Sequence, residues 1–131
     1  MTTTTTTTAD PPEAPTAAVP PDCLVAARAA DAKSGAATVV LAVGEQLAVT
    51  DAFVITSASN ARHVRTLADE IERAVKVASG RGPNRVEGLD DARWVLLDYG
   101  DFVVHVFLDE ARTYYDLEHL WAGVPRVPWT A

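Results

Sequence analysis

Cysteine is nearly absent: Cys23 stands alone in 131 residues. A lone thiol excludes an intrachain disulfide and a multi-cysteine zinc site. Cys23 opens an alanine-rich segment and reads as a small buried thiol, since no base or pKa-lowering neighbour can be placed beside it. Long apolar runs are missing too. No stretch approaches the ~20 residues of a membrane span, so no membrane partner is expected. Basic residues are scarce, 11 against 18 acidic ones, for a net charge of −7. Such a chain repels phosphate backbones, which leaves direct RNA contact a minor part at most, whereas a basic protein partner fits. No lysine or arginine precedes Arg28, and the N-terminus has no apolar core region. Secretory and mitochondrial signals are therefore not expected, and the expected setting is soluble, reducing and cytoplasmic.

What is present divides the chain in three. Residues 1–21 are rich in threonine, proline and alanine, without a periodic apolar face. They cannot bury enough surface to offset their ordering entropy and are expected to form a disordered tail, removable through Pro20 without loss of folding. Residues 22–122 hold the periodic segments and are expected to form the domain. Residues 123–131 are expected to be an irregular tail, because their prolines forbid helix.

Within the domain, Asp22 is placed to cap a helix over Cys23–Ser34, stopped by Gly35. Thr38–Val43 is a continuous β-branched run and reads as a buried strand, and Ala52–Ser59 as a second one. Ser59 or Asn60 then caps a long helix whose apolar stripe runs through Val64, Leu67, Ala68, Ile71 and Val75 to Gly80. Arg85–Glu87 fits a short strand. Trp94–Asp98 and Phe102–Leu108 form a hairpin, and Asp109 caps a final helix, Glu110–Trp121. This order predicts an α/β fold, a small mixed β-sheet with flanking helices.

The hairpin carries the residues with chemistry. Alternation places Val95, Leu97, Phe102, Val104, Val106 and Leu108 on one face, which must meet the core. Trp94, Leu96, Asp98, Val103, His105 and Phe107 share the other. That second face is either covered by helices or partly a docking surface. Asp98, Asp101 and His105 suit a metal site or an acid–base pair by residue type. They suit equally a solvated turn and one histidine hydrogen-bonded to a neighbour. Asp98 and His105 are not directly opposite, and no nucleophile or glycine-rich phosphate loop stands nearby, so the turn reading is preferred. No catalytic residue, metal or cofactor is expected. On a single final helix, Tyr114, Leu117 and Trp121 would share a stripe that reads as core, and Tyr115, Glu118 and His119 another. Arg62 and His63 begin the long helix and read as surface residues.

Two stretches resemble a known family. "TDAFVITSASNARHVRTLADEI" and "EGLDDARWVLLDYGDFVVHVFLDEARTYYDLEHLW" are similar to the two signatures of the ribosomal silencing factors, also called RsfS or Iojap-like proteins. The resemblance rests on Asp51, Phe53–Ile55, Ser59, Arg62–Val64, Glu87–Gly88, Trp94, Asp98, Gly100–Asp101, Val104–Phe107, Arg112, Tyr115, Leu117–Glu118 and Leu120–Trp121, and it covers about Leu24 to Trp121. Ala58 departs from it, where the family often has glycine. Both tails lie outside it.

The resemblance implies a non-enzymatic translational silencer. It implies binding to the large ribosomal subunit through large-subunit ribosomal protein fourteen, steric block of subunit joining, and a homodimer. It also implies a nucleotidyltransferase-like fold without that fold's active site. The partner-binding residues it points to are Trp94, Asp98, Tyr99, Asp101, His105, Tyr115, Glu118 and Trp121. Two other functions compete with it: a protein-interaction adaptor with a different partner, and a vestigial nucleotidyltransferase-like enzyme.

Overall fold

The computed structural model describes residues 12–130. The elements are α1 (Pro21–Ala32), β1 (Ala36–Ala42), β2 (Ala52–Ala58), α2 (Ala61–Ser79), β3 (Arg85–Glu87), β4 (Trp94–Asp98), β5 (Phe102–Leu108), α3 (Asp109–Tyr115) and α4 (Leu117–Leu120). The five strands form one mixed sheet in the order β1-β2-β5-β4-β3. β2 and β5 pair in parallel, Ala52 opposite Phe102, and every other pair is antiparallel. The sheet and its flanking helices are those expected.

Each element has a local cause. The Asn60 side chain accepts from the His63 N–H at 2.8 Å and starts α2. Gly80 ends it with φ +78. Val64, Leu67, Ala68, Ile71 and Val75 are fully buried along one stripe, each large aliphatic contributing roughly 1.5–3 kcal/mol of transfer free energy. The hairpin turn is Gly100–Asp101, with Tyr99 N–H donating to Phe102 O at 3.0 Å. Gly100 has φ +89 at the first loop position, which a tight two-residue turn of this hand demands. At α1 the structure differs from expectation. Pro21 occupies the first turn, and Asp22 lies inside the helix rather than capping it.

α1 and α2 cover one face of the sheet, over Val40, Val54, Val95, Leu97, Phe102, Val104 and Val106. The other face carries a second core of Leu41, Val43, Phe53, Ile55, Phe107, Ala111 and Val124, with Leu117 and Trp121 packed on it. Helices thus cover only part of this face.

Three expectations need correction. The final helix is not continuous: Asp116 adopts φ +51 and separates α3 from α4. The break puts Tyr114 in solvent, 78% exposed, so it is no core residue. Residues 123–130 are irregular, as expected, but pack onto the sheet rather than standing outside the domain. Ala42 N–H donates to Pro125 O and Val127 N–H to Val40 O, each at 2.9 Å. Val124 and Val127 are buried, and the Trp129 indole N–H reaches Thr38 O at 2.9 Å. β1 is an edge strand with outward amide and carbonyl groups, and this segment pairs them. The disordered tail expected over 1–21 lies partly outside the described residues. Beyond Pro12 the chain is tied down at points: Ala14 N–H donates to Arg126 O, Arg126 N–H to Pro12 O, and Val19 is buried, while Thr16–Ala18 are exposed.

Candidate functional site

The uncovered half of the second sheet face is built from β2, β4 and β5, bordered by the β1–β2 connection on one side and by α3–α4 on the other. β4 and β5 alternate, and that alternation aims Trp94, Leu96, Asp98, Val103 and His105 at this face. Trp94 is half-buried. Its ring packs on Tyr115 at 4.7 Å and Phe107 at 5.0 Å between centroids. Its indole N–H donates to His105 Nδ1 at 3.0 Å. Phe53 meets His105 edge-on at 4.8 Å, and Trp121 meets Phe53 edge-on at 5.7 Å. A chain of rings thus runs from Tyr115 to Trp121 across the face. Tyr115 is 47% exposed at one end of it.

His105 is the histidine hydrogen-bonded to a neighbour that the turn reading required. Only 5% of it is exposed. Burial pushes its pKa from the usual 6.5 down to about 4, so the ring is neutral at physiological pH. Asp98 serves the turn: its Oδ1 accepts from the Gly100 N–H at 2.8 Å. Asp101 is held by Arg81, whose guanidinium reaches Oδ1 at 2.7 Å and Oδ2 at 3.2 Å. Arg81 also donates to Tyr99 O at 3.0 Å and lies 5.7 Å from the Tyr99 and Phe102 ring centres. The three residues that suggested a metal or acid–base centre therefore have three separate partners. Among the described residues, no group of three or more His, Cys, Asp or Glu side chains is placed to hold a metal ion.

Of the eight expected partner-binding residues, the structure brings five to this face or its border: Trp94, Asp98, His105, Tyr115 and Trp121. Tyr99 leaves the set. It pairs with Phe102 across the turn, stacks on that ring at 4.6 Å, and is 4% exposed in the core under α1 and α2. Asp101 is taken by Arg81. Glu118 is taken by Arg112, through contacts of 2.9 and 3.0 Å. A carboxylate already paired with a guanidinium has little left to offer a partner's cation.

Arg112 was legible only as part of the family signature. Its side chain donates to Glu118 Oε1 and Oε2, to Ser57 Oγ at 3.0 Å, and to the Ala36 and Ala37 carbonyls at 2.8 and 2.7 Å. All five of its N–H donors are used, and they tie α3–α4 to an irregular point in β1. The sequence reading also missed Leu47, Val49, Thr50 and Phe53 as neighbours of the hairpin. The apolar Leu47 and Val49 inside "GEQLAVTD" were the available signal. Val49 is 82% exposed.

Comparison with known proteins agrees with this architecture. Residues 16–131 match the family model described as "Ribosomal silencing factor during starvation". The ribosomal silencing factor RsfS of Halalkalibacterium halodurans is 39% identical over 105 residues, covering 79% of this chain and 87% of that protein. The mouse protein named "Mitochondrial assembly of ribosomal large subunit protein 1" is 33% identical over 84 residues, which are 63% of this chain and 37% of that one. A crystal structure of a Chromobacterium violaceum protein superposes with a TM-score of 0.73 at 30% identity, over 78% of this chain and 84% of that one. The matched region takes in Val19, which is buried, and the C-terminal segment, which pairs with β1. By fold and by sequence, the chain belongs to RsfS, the family of ribosomal silencing factors.

Proposed function

We propose that this protein represses translation by seating the open half of its second sheet face on the large ribosomal subunit, where its bulk keeps the small subunit from joining. The single observation that carries this reading is the uncovered ring-rich face itself. Soluble domains rarely leave such a surface without a partner. Trp94, Tyr115 and Trp121 supply rigid apolar contact at low entropic cost. The net charge of −7 favours a basic protein over RNA as the contact, with RNA contact minor, and the resemblance to the silencing factors is what points to large-subunit ribosomal protein fourteen as that protein. Membership in a family of silencing factors, and the printed name of the mouse relative, support the large subunit as the address. A homodimer would use the same face and so compete with docking. The proposed setting is the cytoplasm, and the proposed action is steric, with no catalytic residue.

Two measurements test it. The protein should sediment with free large subunits and not with joined ribosomes. In a purified translation mix it should reduce joining when added before the small subunit, and do little when added after. Absence from the large-subunit fraction overturns the reading.

A further inference from the structure

Buried polar groups nearly always find a hydrogen-bond partner. Among the described residues three buried side-chain atoms have none: Thr50 Oγ1, Tyr99 Oη and His105 Nε2. Two of the three, Thr50 and His105, line one cavity. It has a volume of about 360 Å³ and lies on the open face between the β1–β2 connection and the hairpin. Leu47, Val49, Phe53 and Val103 give it apolar walls.

The proton on His105 is fixed by its neighbour. An indole N–H can only donate, so Nδ1 accepts from Trp94 and carries no proton. Burial keeps the ring neutral, which leaves the single proton on Nε2. Nε2 is therefore a donor with no protein acceptor among the described residues, and the Thr50 hydroxyl can act as a second. This excludes most occupants. Ammonium and guanidinium groups can meet the Asp98 carboxylate but have no acceptor to offer His105 Nε2. A carboxylate or phosphate would enter apolar walls beside the Asp98 carboxylate, on a chain of net charge −7. A neutral acceptor remains.

We propose that this cavity is an acceptor socket: it takes a carbonyl oxygen, from main chain or amide side chain, presented by a loop of a basic ribosomal protein, with Thr50 and His105 as the donors. Asp98 at the hairpin end favours cationic residues flanking that carbonyl. The socket rests on the docking reading above and names its specific contact.

The test uses the full chain, purified large ribosomal subunits and two variants. Thr50→Val keeps the shape and removes the hydroxyl. It should melt at or above the parent's temperature, since an unpaired buried group is lost, while affinity for large subunits falls about tenfold. Thr50→Ser keeps the hydroxyl and should bind like the parent. Unchanged or tighter binding by Thr50→Val overturns the socket, as does equal weakening by both variants. A lower melting temperature for Thr50→Val would show the hydroxyl already paired, and also overturns it. If protein-free large-subunit RNA reproduces Thr50-dependent binding, the occupant is not a protein loop and the proposal fails. A parent chain that does not bind large subunits sinks the docking reading first. A parent that binds beside an unaffected Thr50→Val sinks only the socket.

Discussion

His105 ties stability to pH with a definite sign. Its folded pKa of about 4 lies below the usual 6.5, with burial as the cause. Between those values the unfolded chain takes up a proton that the folded chain refuses. The neutral ring's contribution is therefore fully present above about pH 6.5 and is lost as pH falls toward 4, a change on the order of 3 kcal/mol in all. Urea unfolding at pH 7.5, 6.5, 5.5 and 4.5 should show this decline. His105→Gln keeps a carbonyl that can accept the Trp94 indole N–H, and it should flatten the slope relative to the parent. Equal slopes in the two proteins would remove His105 as the cause.

Individual elements depend on partners far away in sequence, and Arg112 shows it most sharply. Removing it takes the donors from the exposed Ala36 and Ala37 carbonyls and leaves the half-buried Glu118 unpaired. Arg112→Ala should destabilise the fold by about 3 kcal/mol, and Arg112→Lys should recover little, because one ammonium cannot replace a five-donor fork. Thermal melts of both variants decide this. Docking should weaken as well, since α3 carries Tyr115. The C-terminal segment makes a second case. Ending the chain after Gly123 removes Val124, Val127 and the cover on β1. Expected outcomes are a lower melting temperature and concentration-dependent self-association by sedimentation velocity, because an unpaired edge strand templates pairing. An unchanged melt would mean the segment packs without stabilising. These two cases also mark the limit of what the sequence disclosed. The strands and α2 were legible from alternation and from three- and four-residue spacing, and the hairpin ends were found to the residue. The break at Asp116 was not, since no glycine or proline signals it there. Pro125 and Pro128 were read only as helix breakers, although proline is equally at home beside a sheet edge. The Arg112 contacts join residues some 75 positions apart, which no local pattern encodes. In the candidate site, the facing of Trp94, Asp98 and His105 followed from alternation. The claims of Arg81 on Asp101 and of Arg112 on Glu118 are tertiary, and only the fold reveals them.

At the scale of the whole molecule, charge sets how partners meet. With Asp101 and Glu118 already paired, the steering proposed toward a basic protein would come from the overall field of a −7 chain. Association with large subunits should slow as salt rises and the Debye length shrinks below about 10 Å, while dissociation changes little. Stopped-flow mixing across a salt series measures both. Faster association at high salt would assign the first encounter to RNA repulsion instead. Glu118→Lys is no clean probe of this, because it places a second cation against Arg112 and disturbs α3–α4. The parallel pairing of β2 with β5 has a consequence for synthesis on the ribosome. β2 is buried at every position, yet the strand that closes its inner side is made only after α2, β3 and β4. At ~5–20 residues per second, that leaves the nascent chain several seconds with Phe53, Ile55 and their neighbours protected on one edge alone. The antiparallel β1–β2 pair and α1 are complete by then and can shield it, so the first half of the chain acts as its own holding device until Phe102–Leu108 emerges. A synonymous change that slows translation between Ser79 and Phe102 lengthens that interval, and the yield of soluble protein should drop without any change in the protein itself.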